Sequence, residues 1–283
     1  MSTVVFGPSL RGRIFTAVKY LTYLLLLGNV FLFLREETSS LEHTFTGAMS
    51  LSQFVQVFAA TLDTAAWVVL LLLFELETSV LDDEKIRGSV KFALHGIRLL
   101  CGAAIVWAFT GYCAELITLY KVTPMDAWNG CTQLSNDWSL LLTLDEYEPL
   151  SAQNCSVVAD AALRISDFNI VADAETLHAS RLLAWTDVIN SAAWILVVVV
   201  LEIEVRLQLR GSLTDAVLDG TRYLKYCVYT TLFIAAVYWG IAGKFLDFYD
   251  ASMWLFAFIF IELNVFDWQR ETQESQASDP KAW

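Results

Sequence analysis

The chain has 283 residues, 56% of them hydrophobic and 17% charged, with a mean hydropathy of +0.51, too apolar for a soluble domain of ordinary composition and indicative of the bilayer. A formal net charge of −13 argues against nucleic acid as a partner. There is no phosphate-binding glycine loop, nucleophile elbow or Cys-x-x-Cys pair, and of His43, His95 and His178 only His95 lies in an apolar run, so neither an enzyme, a haem nor another cofactor or metal centre is expected.

Six apolar segments follow in chain order, at 14–34, 54–74, 90–111, 182–201, 223–243 and 245–265. Each approaches the roughly 20 residues that cross about 30 Å of hydrocarbon. Long runs with only four prolines in the chain favour helices over a barrel. The first segment follows Arg11 and Arg13 but has no small-residue cleavage site after Leu34, so it reads as a retained helix.

The segments pair as hairpins, because a motif recurs at their ends. Trp67, Trp194 and Trp254 are each followed eight residues later by Glu75, Glu202 and Glu262, while Lys19-Tyr20, Lys91-Phe92 and Arg222-Tyr223 open the partner segments. Repetition of this kind fixes an architecture before an activity. The expected fold is an all-α membrane domain over residues 1–265, with six helices in three hairpin repeats, about 11–77, 87–204 and 218–265, around a pseudo-threefold axis. An acidic tail, 266–283, follows.

Cations set the orientation. Arg11, Arg13, Lys85, Arg87, Arg206, Arg210, Arg270 and others fall on one side, against Arg35, Lys121, Arg164, Arg181 and Lys244 on the other. The positive-inside rule therefore puts both termini in the cytoplasm of a plasma or bacterial inner membrane. On the outer side, the long connection 115–180 is expected to fold as a small cap between the third and fourth helices. Its stretches 157–165 and 172–183 carry helical spacing, and the latter is expected to run into the fourth helix. Cys131 and Cys155 are the candidate disulfide there, with Cys113 as a competing partner. Asn154-Cys155-Ser156 matches a glycosylation acceptor.

Polar residues recur with the repeat. Asp63, Asn190 and Asp250 stand four residues before the tryptophans, and Glu77 and Glu204 ten residues after Trp67 and Trp194. Fourteen residues advance a helix by about 1400°, returning within about 40° of the same face and about 21 Å along it. The expected arrangement is an outer polar ring of Asp63, Asn190 and Asp250 and an inner one containing Glu77 and Glu204. Asp63 is the most telling, since nine mostly apolar residues precede it and an acid inside a span costs about 2.5–3.5 kcal/mol on insertion scales unless protonated, paired or hydrated. Arg98 needs a buried anion or an aqueous route towards the cytoplasm, and Asp187 is the candidate partner if the third and fourth helices touch. The repeat-end acids and cations are expected to pair at the cytoplasmic surface, each pair contributing only about 0–1 kcal/mol.

These features imply a cation channel or transporter working through intramembrane carboxylates. The alternative is a non-catalytic scaffold or regulatory subunit, with a membrane-protein partner or a second copy as its contact. A hydrated path touching Asp63 favours the first, and an axis packed with Leu, Val and Phe favours the second.

Overall fold

A computed structural model describes residues 10–44, 50–77, 88–125, 138–158, 162–166, 168–209 and 215–258. The fold is mostly helical: α1 (Leu10–Thr44), α2 (Leu51–Val57), α3 (Ala59–Glu75), α4 (Ser89–Tyr120), α5 (Ala174–Leu209), α6 (Asp215–Ile241) and α7 over 245–258. Four helices are long and apolar enough to cross a membrane, and α2 with α3 makes a fifth if that bent pair is one span. Of the sixth expected segment, 245–265, only the part to residue 258 is described; Glu262, Asn264 and the tail lie outside the described residues. The outward face of α4 is strongly apolar, with Phe92, Leu99 and Leu100 between 71 and 82% exposed, as a lipid-facing surface requires.

The segment expected as one helix at 54–74 is broken. α2 and α3 meet at 76°, with Phe58 at φ −106° and ψ 31° as the joint. Local and distant groups stabilise the break. Ser50 and Gln53 form a reciprocal capping box at the start of α2. The amides of Ala60 and Thr61, freed at the start of α3, donate to the Glu37 carboxylate of α1 at 2.8 and 3.2 Å, and the Thr61 hydroxyl donates to it as well. A buried helix end needs such partners.

The break also requires a glycine across from it. A Cβ on Gly111 of α4 would lie 2.5 Å from the Val55 carbonyl oxygen and 3.0 Å from the Ala59 Cβ. Backbone cannot give way as a flexible side chain can, so Gly111→Ala is expected to destabilise the protein by about 1–3 kcal/mol. A thermal denaturation midpoint in detergent equal to that of the parent protein would contradict this approach of α2 to α4.

Along the bundle axis, α3, α5 and α7 meet through Trp67, Trp194 and Trp254, whose ring centroids are 6.2, 6.4 and 6.5 Å apart. On the side away from the cap, Leu26, Val68, Leu71, Val197, Leu232 and Phe258 continue into a closed apolar core. In lipid such a core is held by close packing rather than by exclusion of water.

The connection between α4 and α5 is not all-α. It contains a five-stranded sheet in the order β1 (Val122–Met125), β4 (Ala162–Ile165), β5 (Ile170–Ala172), β2 (Ser139–Leu141), β3 (Tyr147–Pro149), antiparallel except where β2 runs parallel to β5. The helical spacing at 157–165 proves instead to be part of a 3-10 turn, Cys155–Val158, and strand β4. Buried Leu140, Cys155, Val158, Ala162 and Val171 form a core of their own, which edge-to-edge strands provide with fewer residues than helices would need. The cap is also shorter than 115–180, since Glu115 lies within α4 and 174–180 within α5. The expected helix at 172–183 begins only at Ala174, since Ala172 ends β5, and continues without interruption as α5, whose apolar stretch is long enough to cross a membrane.

Asp173 caps that helix. Its Oδ1 accepts from the Glu175 and Thr176 amides at 2.8 and 2.9 Å, and its Oδ2 from the Thr176 hydroxyl at 2.6 Å. Partial burial works against the charge, but the Thr176 and Glu175 bonds outweigh it and hold the acid below the usual carboxylate range. A depressed native pKa gives stability that is present above the unfolded value and lost as pH falls through the native one. Asp173→Ala is expected to cost about 1 kcal/mol at neutral pH, with the difference from the parent shrinking in acid. A pH-independent difference in denaturation midpoint would refute the cap.

Among the described residues no disulfide joins two cysteines; Cys101, Cys113 and Cys227 are free thiols. Cys113 is therefore not the partner of Cys155, and Cys131 lies outside the described residues. The Asn154 side chain closes a turn, accepting from the Ser151 amide at 2.8 Å and donating to the Pro149 carbonyl at 3.1 Å.

Candidate functional site

Between the cap and the tryptophan triangle lies a cavity of about 140 Å³. Five helices and the cap bring acids to it: Glu36 and Glu37 from α1, Asp63 from α3, Glu115 from α4, Asp187 from α5, Asp247 and Asp250 from α7, and Asp145 from the β2–β3 turn. Lys244, in the turn before α7, is the one cation among the described lining residues.

Helical periodicity arranges these groups in two levels. On α5 Asp187 and Asn190, on α7 Asp247 and Asp250, and on α4 Glu115 and Tyr112 are spaced by three residues, about 4.5 Å along each axis. The upper level holds Glu115, Asp187 and Asp247, which are electrostatic neighbours. The lower level holds the expected outer ring, Asp63, Asn190 and Asp250, which all line this one cavity. One turn deeper, Trp194 and Trp254 close the floor, with Trp67 packed against both.

The lower acids are fixed in place. Asp63 accepts a hydrogen bond from Trp67 Nε1 at 3.0 Å and another from the Tyr112 hydroxyl. Asp250 accepts from Asn29 Nδ2 at 2.7 Å, a contact from α1 to α7, and from Trp254. Asn190 Oδ1 is buried and accepts no hydrogen bond from any other group. Among the described residues, no three His, Cys, Asp or Glu side chains converge as metal ligands. The cavity lining is thus mainly anionic and aromatic, with Lys244 as its cation.

The expected inner ring does not assemble around the axis. Glu77 pairs with Arg98 at 2.6 Å, and Glu204 with Lys225 at 3.0 Å. Each acid meets the cation of the next helix at the flank of the bundle, on the far side of the tryptophans from the cavity. Arg98 therefore has Glu77 as its partner, and Asp187, the partner expected from the sequence, sits in the cavity.

Over the cavity, the β2–β3 turn forms a roof. Leu144, Asp145 and Tyr147 line the cavity. The Tyr147 hydroxyl donates to the Leu144 carbonyl at 3.0 Å, and its ring stacks on His43 of α1, 6.2 Å between centroids. Burial, then the charges of Glu115 and Asp145, push the Tyr147 hydroxyl well above the usual phenol range, so it remains a neutral donor.

The spacing of Asp63, Asn190 and Asp250 revealed the lower level, but Glu36, Glu37, Tyr112, Glu115, Asp145, Lys244 and Asp247 escaped sequence reasoning. A usable signal was the pairing of polar residues three apart, Tyr112 with Glu115, Asp187 with Asn190 and Asp247 with Asp250, which puts both on one helix face. Comparison with protein-family models, curated proteins and solved structures finds no match for this chain.

Proposed function

We propose that this chain is a six-span membrane protein of three hairpin repeats that takes singly charged cations or protons into an outward-facing acidic cavity and carries them across the bilayer by alternating access. The observation that carries the reading is the convergence of eight carboxylates and one lysine on a single cavity. Mutual repulsion in so small a space is relieved by cations drawn from the outer solution. The packed tryptophan floor favours a carrier over an open channel. The broken α2–α3 pair beside Asp63 supports the same reading, since discontinuous helices supply ion sites at membrane depth.

Two features support the repeat. Asp63, Asn190 and Asp250 keep one relation to three touching tryptophans, and the Glu77–Arg98 and Glu204–Lys225 bridges link corresponding helices. Both termini are assigned to the cytoplasm and the cap to the outside by the distribution of cations.

The test is flux into liposomes containing the purified protein, with protons, sodium, potassium and a small organic ammonium ion as trial substrates. Saturable flux of at least one is expected. No flux of any across a range of pH and voltage would remove the transport reading. A scaffold is the second reading, favoured by the closed apolar core below the tryptophans; a stoichiometric partner, or a second copy, in mass measurements of the protein in mild detergent would support it.

A further inference from the structure

Outside the cavity, a groove of about 340 Å³ runs between α1 and the β2–β3 turn, lined by residues such as Arg35, Ser39, His43 and Glu146. Groove and cavity share Glu36, Ser40, Asp145 and Tyr147, so these side chains form the wall between them. Two contacts hold that wall shut. The Ser40 hydroxyl donates to the Asp145 carbonyl at 2.5 Å. The Lys244 ammonium, its side chain only 6% exposed, reaches Asp145 Oδ2 at 3.2 Å and Glu146 Oε1 at 3.6 Å.

We propose that Lys244 is a tethered cation that latches the roof over the acidic cavity, and that an incoming cation opens the entrance by replacing its ammonium at Asp145. The proposal builds on the outward-facing cavity described above and adds the gate. Three features make the latch exchangeable rather than a fixed strut. Lys244 stands at the junction of α6 and α7, after Gly243 at φ +82°, so its stem turns on a short joint that a side chain at 243 would strain. Its anionic partners, Asp145 and Glu146, lie on the five-residue turn 142–146 of the cap with side chains 35% and 58% exposed, so an incoming cation reaches them from the outer solution. Further acids wait below: Glu36 and Asp247 also act on the ammonium, and a second cation arriving at the wall finds the same anions. Burial works against the Lys244 charge, but Asp145, Glu146, Glu36 and Asp247 outweigh it and raise its pKa, so the latch is cationic at every physiological pH.

The test reads access to the cavity directly. A reporter cysteine at Ala60, which lines the cavity, is labelled from outside sealed vesicles with a small cationic methanethiosulfonate reagent and followed peptide by peptide by mass spectrometry. Native Cys101, buried at 8% exposure in a separate cluster, serves as the reference for general loosening. Lys244→Gln is expected to speed labelling at position 60 at least about tenfold, equivalent to about 1.4 kcal/mol in the closed-to-open equilibrium, while Lys244→Arg stays slow and Cys101 is unchanged. Asp145→Asn removes the other partner and should do the same, so the test survives if one variant fails to fold. Unchanged labelling in both, or equal acceleration at Cys101, overturns the latch. Faster labelling with no wild-type flux in liposomes keeps the latch and removes transport; flux with unchanged labelling does the reverse.

Discussion

Glu75→Gln is expected to destabilise the protein by about 3–5 kcal/mol, the usual cost of stranding one member of a buried ion pair. Glu75 Oε1 lies 2.6 Å from Lys19 Nζ, with side-chain exposures of only 6% and 9%. The Tyr20 hydroxyl donates to the same oxygen at 3.0 Å and that of Tyr23 to Oε2 at 3.4 Å. Glutamine keeps the shape and an acceptor but leaves Lys19 charged and unpaired where water does not reach it. Glu202→Gln is the control, because Glu202 pairs with Arg206 of its own helix at side-chain exposures of 57% and 68%, and such a pair contributes about 1 kcal/mol or less. The measurement is the thermal denaturation midpoint of each purified variant in one detergent. Equal midpoints would show that Lys19 finds water or another anion. Replacing both partners, as Lys19→Met with Glu75→Leu, should recover most of the loss, since no charge is then stranded.

That contrast shows what the sequence could and could not convey. Glu75 and Glu202 occupy the same place in the repeat and were expected to behave alike. Their difference lies in the neighbouring helix: α1 packs Lys19, Tyr20 and Tyr23 over Glu75, whereas Glu202 faces outward beside Arg206. The meeting of the tryptophans was not expected, but the level of Asp63, Asn190 and Asp250 was legible, because a common four-residue offset from each tryptophan puts them on equivalent helix faces, and three such faces can meet on one axis. Glu77 and Glu204, ten residues further on, were not. Their side chains reach the flanking Arg98 and Lys225, whose depth on the next helix no periodicity within one segment reveals. Arg98 and Asp187 illustrate the same gap. Glu115, an upper-level neighbour of Asp187, lies seventeen residues beyond Arg98 on α4, about 26 Å along the axis. The break at Phe58 depends on Glu37 from another helix, so composition within 54–74 shows no sign of it. The cap's strands are three or four residues long, too short for an alternating pattern to stand out.

Asp63→Asn is expected to reduce cation or proton flux at least about tenfold, equivalent to about 1.4 kcal/mol, while the protein stays folded. Asp63 is the acid that α3 brings to the cavity, one turn above the tryptophan floor, and on the transport reading a substrate leaving inward passes it. Asparagine retains an oxygen to accept the bonds from Trp67 and Tyr112, so the substitution removes the charge and proton-binding capacity with little change of shape. Glu202→Gln, at an exposed pair outside the cavity, should leave flux unchanged; Glu75→Gln is unsuitable as a control because of its stability cost. Asp250→Asn should also reduce flux, since Asp250 and Asp63 stand at the same level. Asparagine at 250 likewise keeps an oxygen to accept from Asn29, which bonds Asp250 at 2.7 Å, so neither substitution should lower the denaturation midpoint much. Wild-type flux that survives both substitutions would place the route outside this cavity. Release of a copurifying partner by Asp63→Asn, with no flux in the wild type, would make the buried acid an assembly contact and favour the scaffold.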